Sequence, residues 1–155
     1  MGTINKKCEA HTEFILETPQ EYRDFVSQAH EFLAKAGYKP KFQIRKYGFT
    51  AQYNSPVTKR LALQFFIREN TLHMYLYSGF FYNYCDFFDV LPARVIKNLE
   101  ANNNCRNCST ECAKNKCIIN GRQYEKCLCG RALFVVDDEV AEILHVLQKI
   151  CELGV

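Results

Sequence analysis

Six of the chain's nine cysteines fall within 25 residues, at Cys105, Cys108, Cys112, Cys117, Cys127 and Cys129, while Cys8, Cys85 and Cys151 stand apart. In a reducing compartment a cluster of this density argues for metal rather than for disulfides, so the redox compartment comes first. The N-terminal run Met1-Gly2-Thr3-Ile4-Asn5-Lys6-Lys7 has no apolar h-region, and Lys6 stands where a myristoylation signal needs Ser or Thr. No stretch approaches the roughly 18 apolar residues of a membrane span. These features predict a soluble, cytoplasmic protein with reduced thiols, so the cluster points to a metal. An odd number of cysteines also fits a fully paired framework poorly. Asn107-Cys108-Ser109 matches a glycosylation triplet, read here as chance because no secretion signal accompanies it.

The spacing is Cys-x2-Cys-x3-Cys-x4-Cys-x9-Cys-x-Cys. Zinc takes four soft or imidazole ligands in a tetrahedron, and a Cys-x2-Cys turn offers two thiolates to one ion. The remaining ligands must return from further along the chain. Asn120-Gly121 is a strong two-residue hairpin signal, and it brings Cys127 back beside the first turn. Lys114, Lys116, Arg122 and Lys126 surround the segment and favour the thiolate form. The expected zinc ligands are Cys105, Cys108, Cys112 and Cys127. Cys129 is the main rival for the last place and Cys117 the lesser one. Thiol redox chemistry, an iron–sulfur cluster and inert thiols are the alternatives.

The rest of the chain has the composition of a globular protein, 48% apolar and 24% charged, and its 155 residues suffice for one domain spanning 1–155 with a core of its own. Residues 1–13 are polar and read as a loose arm. Thr18-Pro19-Gln20-Glu21 reads as a capped helix start. Tyr22, Phe25, Val26, Ala29, Phe32, Leu33 and Ala36 then recur on one helical face up to a C-terminal Gly37. From Phe42 to Tyr53 the pattern is extended, with Gly48 marking a bulge or a close backbone approach. Leu61, Leu63, Phe65 and Ile67, then Leu72, Met74 and Leu76, alternate with other residues on either side of a turn near Glu69-Asn70. That is an antiparallel hairpin with one apolar face. Its other face is aromatic and polar, leaving room for something to sit on it. The aromatic run Ser78 to Phe88 resists assignment. A short helix follows Asp89, with Leu91, Val95 and Leu99 inward and Asn102-Asn103-Asn104 at its end. After the knuckle at 105–129 come a strand from Arg131 to Val136 and a helix capped by Asp137-Asp138. That helix carries Val140, Ile143, Leu144, Leu147, Ile150 and Cys151 as its buried stripe.

The motif Cys105, Cys108, Cys112, Asn120-Gly121, Tyr124 and Cys127, followed by a strand and a helix, resembles a family of uncharacterised small bacterial proteins. Three other segments resemble the frataxin-homologue-like (YdhG-type) superfamily: Tyr47 to Tyr53, Leu61 to Gly79, and Gly130 to Asp137 with its helix. Together they cover most of residues 19–152. The resemblance implies a small α+β fold. The cysteine insertion departs from that superfamily's pattern, so its iron-related role is not carried over.

Other candidates are weaker. Cys8 and His11 form a Cys-x2-His pair on the polar arm. His30 and His145 lie beside apolar helical stripes, and His73 alternates with Tyr75 and Tyr77 on a strand, where the readings are a ligand surface and ordinary packing beneath another element. No nucleophile with a base and no glycine-rich phosphate loop is visible. Cys105-Arg106-Asn107-Cys108 opens a cysteine-rich loop instead of following a strand, unlike a thioredoxin motif. Twenty basic and seventeen acidic residues leave a formal charge of +3. That carries no nucleic-acid footprint by itself, because such domains concentrate their cations on one face. The expectation is an α+β fold with a small, mainly antiparallel sheet against helices and a four-cysteine zinc knuckle before the last strand. Its function is expected to be non-enzymatic binding of a small molecule or a protein partner, with Zn2+ structural; the alternative is a redox or metal-handling protein.

Overall fold

The computed structural model describes residues 2–46, 48–77, 93, 97, 114–119, 121–127, 131–136 and 140–152. They form helix α1 (Gly2–Glu17), a 3-10 turn (Gln20–Tyr22), helix α2 (Arg23–Lys35), strands β1 (Lys39–Arg45), β2 (Gly48–Asn54), β3 (Leu61–Arg68), β4 (Thr71–Tyr77), β5 (Lys114–Ile119), β6 (Arg122–Cys127) and β7 (Arg131–Val136), and helix α3 (Val140–Glu152). The main sheet has the order β1-β2-β3-β4-β7, with every pairing antiparallel. Strands β5 and β6 form a separate two-stranded ribbon. The α+β class and the antiparallel sheet follow the sequence pattern; the zinc knuckle falls largely outside the described residues. Among the described residues no helix is long and apolar enough to cross a membrane.

The expected loose arm at 1–13 is instead most of a helix. Among its described side chains, Phe14, fully buried, meets the rings of Phe42 and Phe49 at 5.8 and 6.2 Å, Ile15 packs against the same core, and His11 stacks on His30 at 3.9 Å. Polar spacing hid this, because the apolar core contacts among the described side chains come from the adjacent Phe14 and Ile15, which write no stripe at helical period. Thr18 is corrected as well. Its hydroxyl donates to the Phe14 carbonyl at 2.8 Å, closing α1, and no side-chain bond caps the turn that follows. Arg23 satisfies two further carbonyls of this end, donating from Nε to Thr18 and from Nη2 to Leu16, each at 3.0 Å.

Helix α2 ends as its glycine predicts. Gly37 has φ +87°, its N–H reaches the Ala34 carbonyl at 3.0 Å, and the Tyr38 N–H reaches Leu33 at 2.9 Å. That pair of bonds is a Schellman closure, with the apolar Tyr38 and Leu33 both buried. The extended run expected from Phe42 to Tyr53 proves to be two strands. Arg45 pairs with Gly48 across a two-residue reversal, and Gly48 has φ +118°. A Cβ there would stand 3.3 Å from the Ile67 carbonyl, which explains the glycine. Between β3 and β4, Glu69 and Asn70 both take left-handed φ, 51° and 59°, the two-residue turn whose twist suits a hairpin.

One face of the sheet is the core. Ala51, Tyr53, Leu63, Phe65, Leu72, Met74, Leu76, Phe134 and Val136 pack there against Phe25, Val26, Ala29 and Leu33 of α2, Ile143 and Leu147 of α3, and Phe14 of α1. Leu144 and Cys151 flank this cluster as expected; the side chains of Val140 and Ile150 are outside the description. Of the short helix expected after Asp89, Ala93 and Lys97 are helical and exposed, and its other residues, with the aromatic run from Ser78, lie outside it too.

Candidate functional site

Alternation along the strands leaves Gln43, Gln52, Gln64, Phe66, His73, Tyr75, Tyr77, Leu133 and Val135 on the face opposite α1, α2 and α3. Register then builds a column across it. Phe66 pairs directly with His73, and Tyr75 lies diagonally two residues on. The Phe66 ring stacks on His73 at 5.1 Å and 14°, and on Tyr75 at 4.9 Å and 24°. Beyond Tyr75 the guanidinium of Arg131 lies 3.9 Å from the ring centroid, a cation–π contact from the neighbouring strand. Four planar groups thus follow one another in the order His73, Phe66, Tyr75, Arg131. The His73 ring is held by its Nδ1, 3.1 Å from the Thr71 carbonyl.

Beside the column runs an amide network. Gln52 Nε2 donates to Gln64 Oε1 at 3.2 Å, and the Tyr77 hydroxyl donates to the same oxygen at 3.4 Å. Leu133 and Val135 extend the surface as apolar side chains 45% and 36% exposed. A face with stacked rings, fixed amides and exposed aliphatics offers contact chemistry, and among the described residues no nucleophile–base pair stands on it.

Among the cysteines, the structure places Cys127 as the last residue of β6, paired with Lys114, the first residue of β5. The expected hairpin is therefore present, with Gly121 at φ +75° in its turn. Cys117 pairs with Tyr124 and so holds a register position of opposite parity to Cys127. Cys105, Cys108, Cys112 and Cys129 lie outside the described residues, as does Cys85; Cys8 is in α1, its side chain undescribed. Cys151 is half-buried, and burial, then the nearby Glu152 charge, pushes its thiol up to about 11. It is a packing residue with little thiolate character.

Sequence reasoning missed a second cluster, between α1, α2 and β2. His11 and His30 stack at 3.9 Å with 23° between planes, and His30 Nδ1 lies 2.8 Å from the Tyr53 hydroxyl. Burial, then the charge of His11, lowers His30 to about 4; burial alone lowers His11 and raises Tyr53. The His11 Nε2 is buried without a hydrogen-bond partner among the described residues. His145, by contrast, is exposed. Two imidazoles and a phenol form a neutral packing cluster, and among the described residues no three His, Cys, Asp or Glu gather as a metal site.

No family model, curated protein or solved structure matches this chain. The functional reading therefore rests on the residues themselves.

Proposed function

We propose that this chain is a non-enzymatic binding domain whose open sheet face receives a small molecule or a partner, with a structural zinc ion held by Cys105, Cys108, Cys112 and Cys127. The column of His73, Phe66, Tyr75 and Arg131 carries the binding half of this reading. Half-buried rings stacked away from the core leave hydrophobic area partly in water, and Leu133 and Val135 beside them add to it. Covering that area with a ligand recovers free energy on the order of 25 cal/mol per Å².

The β5–β6 register supports the zinc half. Lys114 pairs with Cys127, and Cys112 is two residues from Lys114 along the chain, within about 7 Å of backbone reach. The two sulfurs can then meet one ion with Zn–S bonds of about 2.3 Å. The parity of Cys117 argues against its replacing Cys127 within the same ribbon.

Two measurements test the proposal. Native mass spectrometry of reduced protein gives one zinc per chain, lost in Cys105→Ser, Cys108→Ser, Cys112→Ser and Cys127→Ser and retained in Cys8→Ser, Cys85→Ser and Cys151→Ser. Intact disulfides and no metal would overturn it, and zinc lost on Cys129→Ser but kept on Cys127→Ser would reassign the fourth ligand. For the face, a ligand panel followed by amide NMR moves the resonances of Phe66, His73, Tyr75 and Val135. Perturbations confined to the helices would refute the open-face reading.

A further inference from the structure

The five strands of the main sheet, 39–45, 48–54, 61–68, 71–77 and 131–136, contain no Asp or Glu. They do contain Lys39, Lys41, Arg45, Arg68 and Arg131, all exposed and all at open-face register positions. Seventeen acidic residues elsewhere hold the chain near neutrality, so the sheet sorts its charges: cations stay on this face and anions lie off its strands. Two acids directly adjoin its strands in sequence: Glu69, in the β3–β4 turn and 3.8 Å from Arg68, and Asp137, which follows Val136. Basic residues on an outer strand also discourage edge-to-edge pairing. That explains β1, but not Arg68 on an inner strand.

These cations frame the column. Lys39, Lys41 and Arg45 run along β1, Arg68 stands at the end of β3, and Arg131 closes the column from β7. Lys41 lies in the same cross-strand row as Gln52, Gln64 and Tyr75, three strand spacings or about 14 Å from the ring. A ligand that fits must present negative charge along an edge and planar groups toward the middle. Single-stranded nucleic acid does both. Its phosphates pair with Lys and Arg, and its bases stack on aromatic or guanidinium planes. The column's rings already stack on one another, so a base adds to it at its ends, on His73 or on the Arg131 guanidinium. Gln52 and Gln64 stand alongside with amide groups able to meet base edges. An acidic peptide satisfies the cations and leaves the stack unextended.

We propose that the open face binds single-stranded nucleic acid, with phosphates on the rim of Lys39, Lys41 and Arg45 and bases extending the His73–Phe66–Tyr75–Arg131 column. This rests on the open face being the binding surface, and the experiment separates the two ideas. Fluorescence anisotropy is measured with the full chain, prepared under reducing conditions, and labelled single-stranded RNA and DNA of mixed sequence, about 12 nucleotides long. Binding weakens steeply between about 50 and about 200 mM salt. The Lys39→Glu/Lys41→Glu double variant, exposed and harmless to the core, weakens binding and flattens that salt dependence. His73→Leu, which removes the ring a base stacks on, weakens it by about 5- to 150-fold, and Phe66→Leu, which removes the ring supporting His73, weakens it less, both verified as folded by circular dichroism. Absence of binding at low salt, equal binding of polyglutamate, or binding indifferent to both ring variants and to the double variant would each overturn the proposal. If polyglutamate or a small molecule moves the Phe66, His73 and Tyr75 amide resonances while the oligonucleotide does not, the open face remains the binding surface and only the ligand class is wrong.

Discussion

The imidazoles of His11 and His30 share one half-buried stack, so proton uptake by either opposes the packing that holds α1. His30 has a folded-state value near 4, against about 6.5 for a free histidine. The unfolded chain therefore binds a proton that the folded chain refuses between those values, and stability falls as pH drops through that window. Above about 6.5 the contribution is level. The shift from pH 7 to 5 is worth about 1 kcal/mol, discounted from an upper bound of about 2 because the ring is only half-buried. Urea unfolding at both pH values should show this loss in the native chain and a smaller one in His30→Gln. Equal losses would mean that the pair does not couple protonation to folding. Neither the stack nor the turnaround of Thr18 was legible locally. His11 and His30 lie on different helices, and a threonine before Pro-Gln-Glu looks like a cap for the helix ahead while its hydroxyl bonds to the helix behind.

Elements with a strong internal period were readable, and those held by distant contacts were not. The β3–β4 hairpin announced itself through Leu63, Phe65, Met74 and Leu76, because a half-buried strand writes its face every second residue. Helix α2 did so through Phe25, Val26, Ala29 and Leu33. Helix α1 did not, since its stability comes from Phe14 entering a pocket built by β1 and β2. Phe14→Ala should therefore cost about 3–5 kcal/mol in denaturant unfolding. Glu13→Ala, at an exposed neighbouring position, should stay within about 0.5 kcal/mol. A Phe14→Ala variant as stable as the native chain would restore the loose-arm reading. The β1–β2 break was missed because Arg45, Tyr47 and Phe49 keep a formal alternation across the reversal, and only Gly48 hinted at it.

At the scale of the molecule, the main sheet and its helices share one core, while the β5–β6 ribbon belongs to a separate sheet. The segment from Cys105 to Cys129 is rich in Asn, Lys and Arg, too poor in apolar area to offset the entropy of ordering it. Zinc binding, worth ~10–16 kcal/mol in small structural sites, supplies that ordering in our proposal. Chelation should then expose this segment to protease while most of the helix and sheet signal survives, as mapped cut sites and circular dichroism would show. Cuts spread evenly along the chain would place the segment in one cooperative core. Unchanged proteolysis would make the metal peripheral and turn the case toward redox or metal-handling chemistry.

Taken alone, the sequence determined what neighbouring residues encode: the amphipathic α2 and α3, the β3–β4 hairpin, the Asn120-Gly121 return and the grouping of cysteines. Each is written in periods of two or 3.6 residues or in a short spacing, and none needs a partner far along the chain. The docking of α1, the His11–His30 stack and the make-up of the open face were decided only by tertiary structure. Phe66, Tyr75 and Arg131 are separated by up to 65 residues and become neighbours through strand order and register. A net charge of +3 hides a face without acids for the same reason: a sum over the chain keeps no record of which side of a sheet each charge occupies.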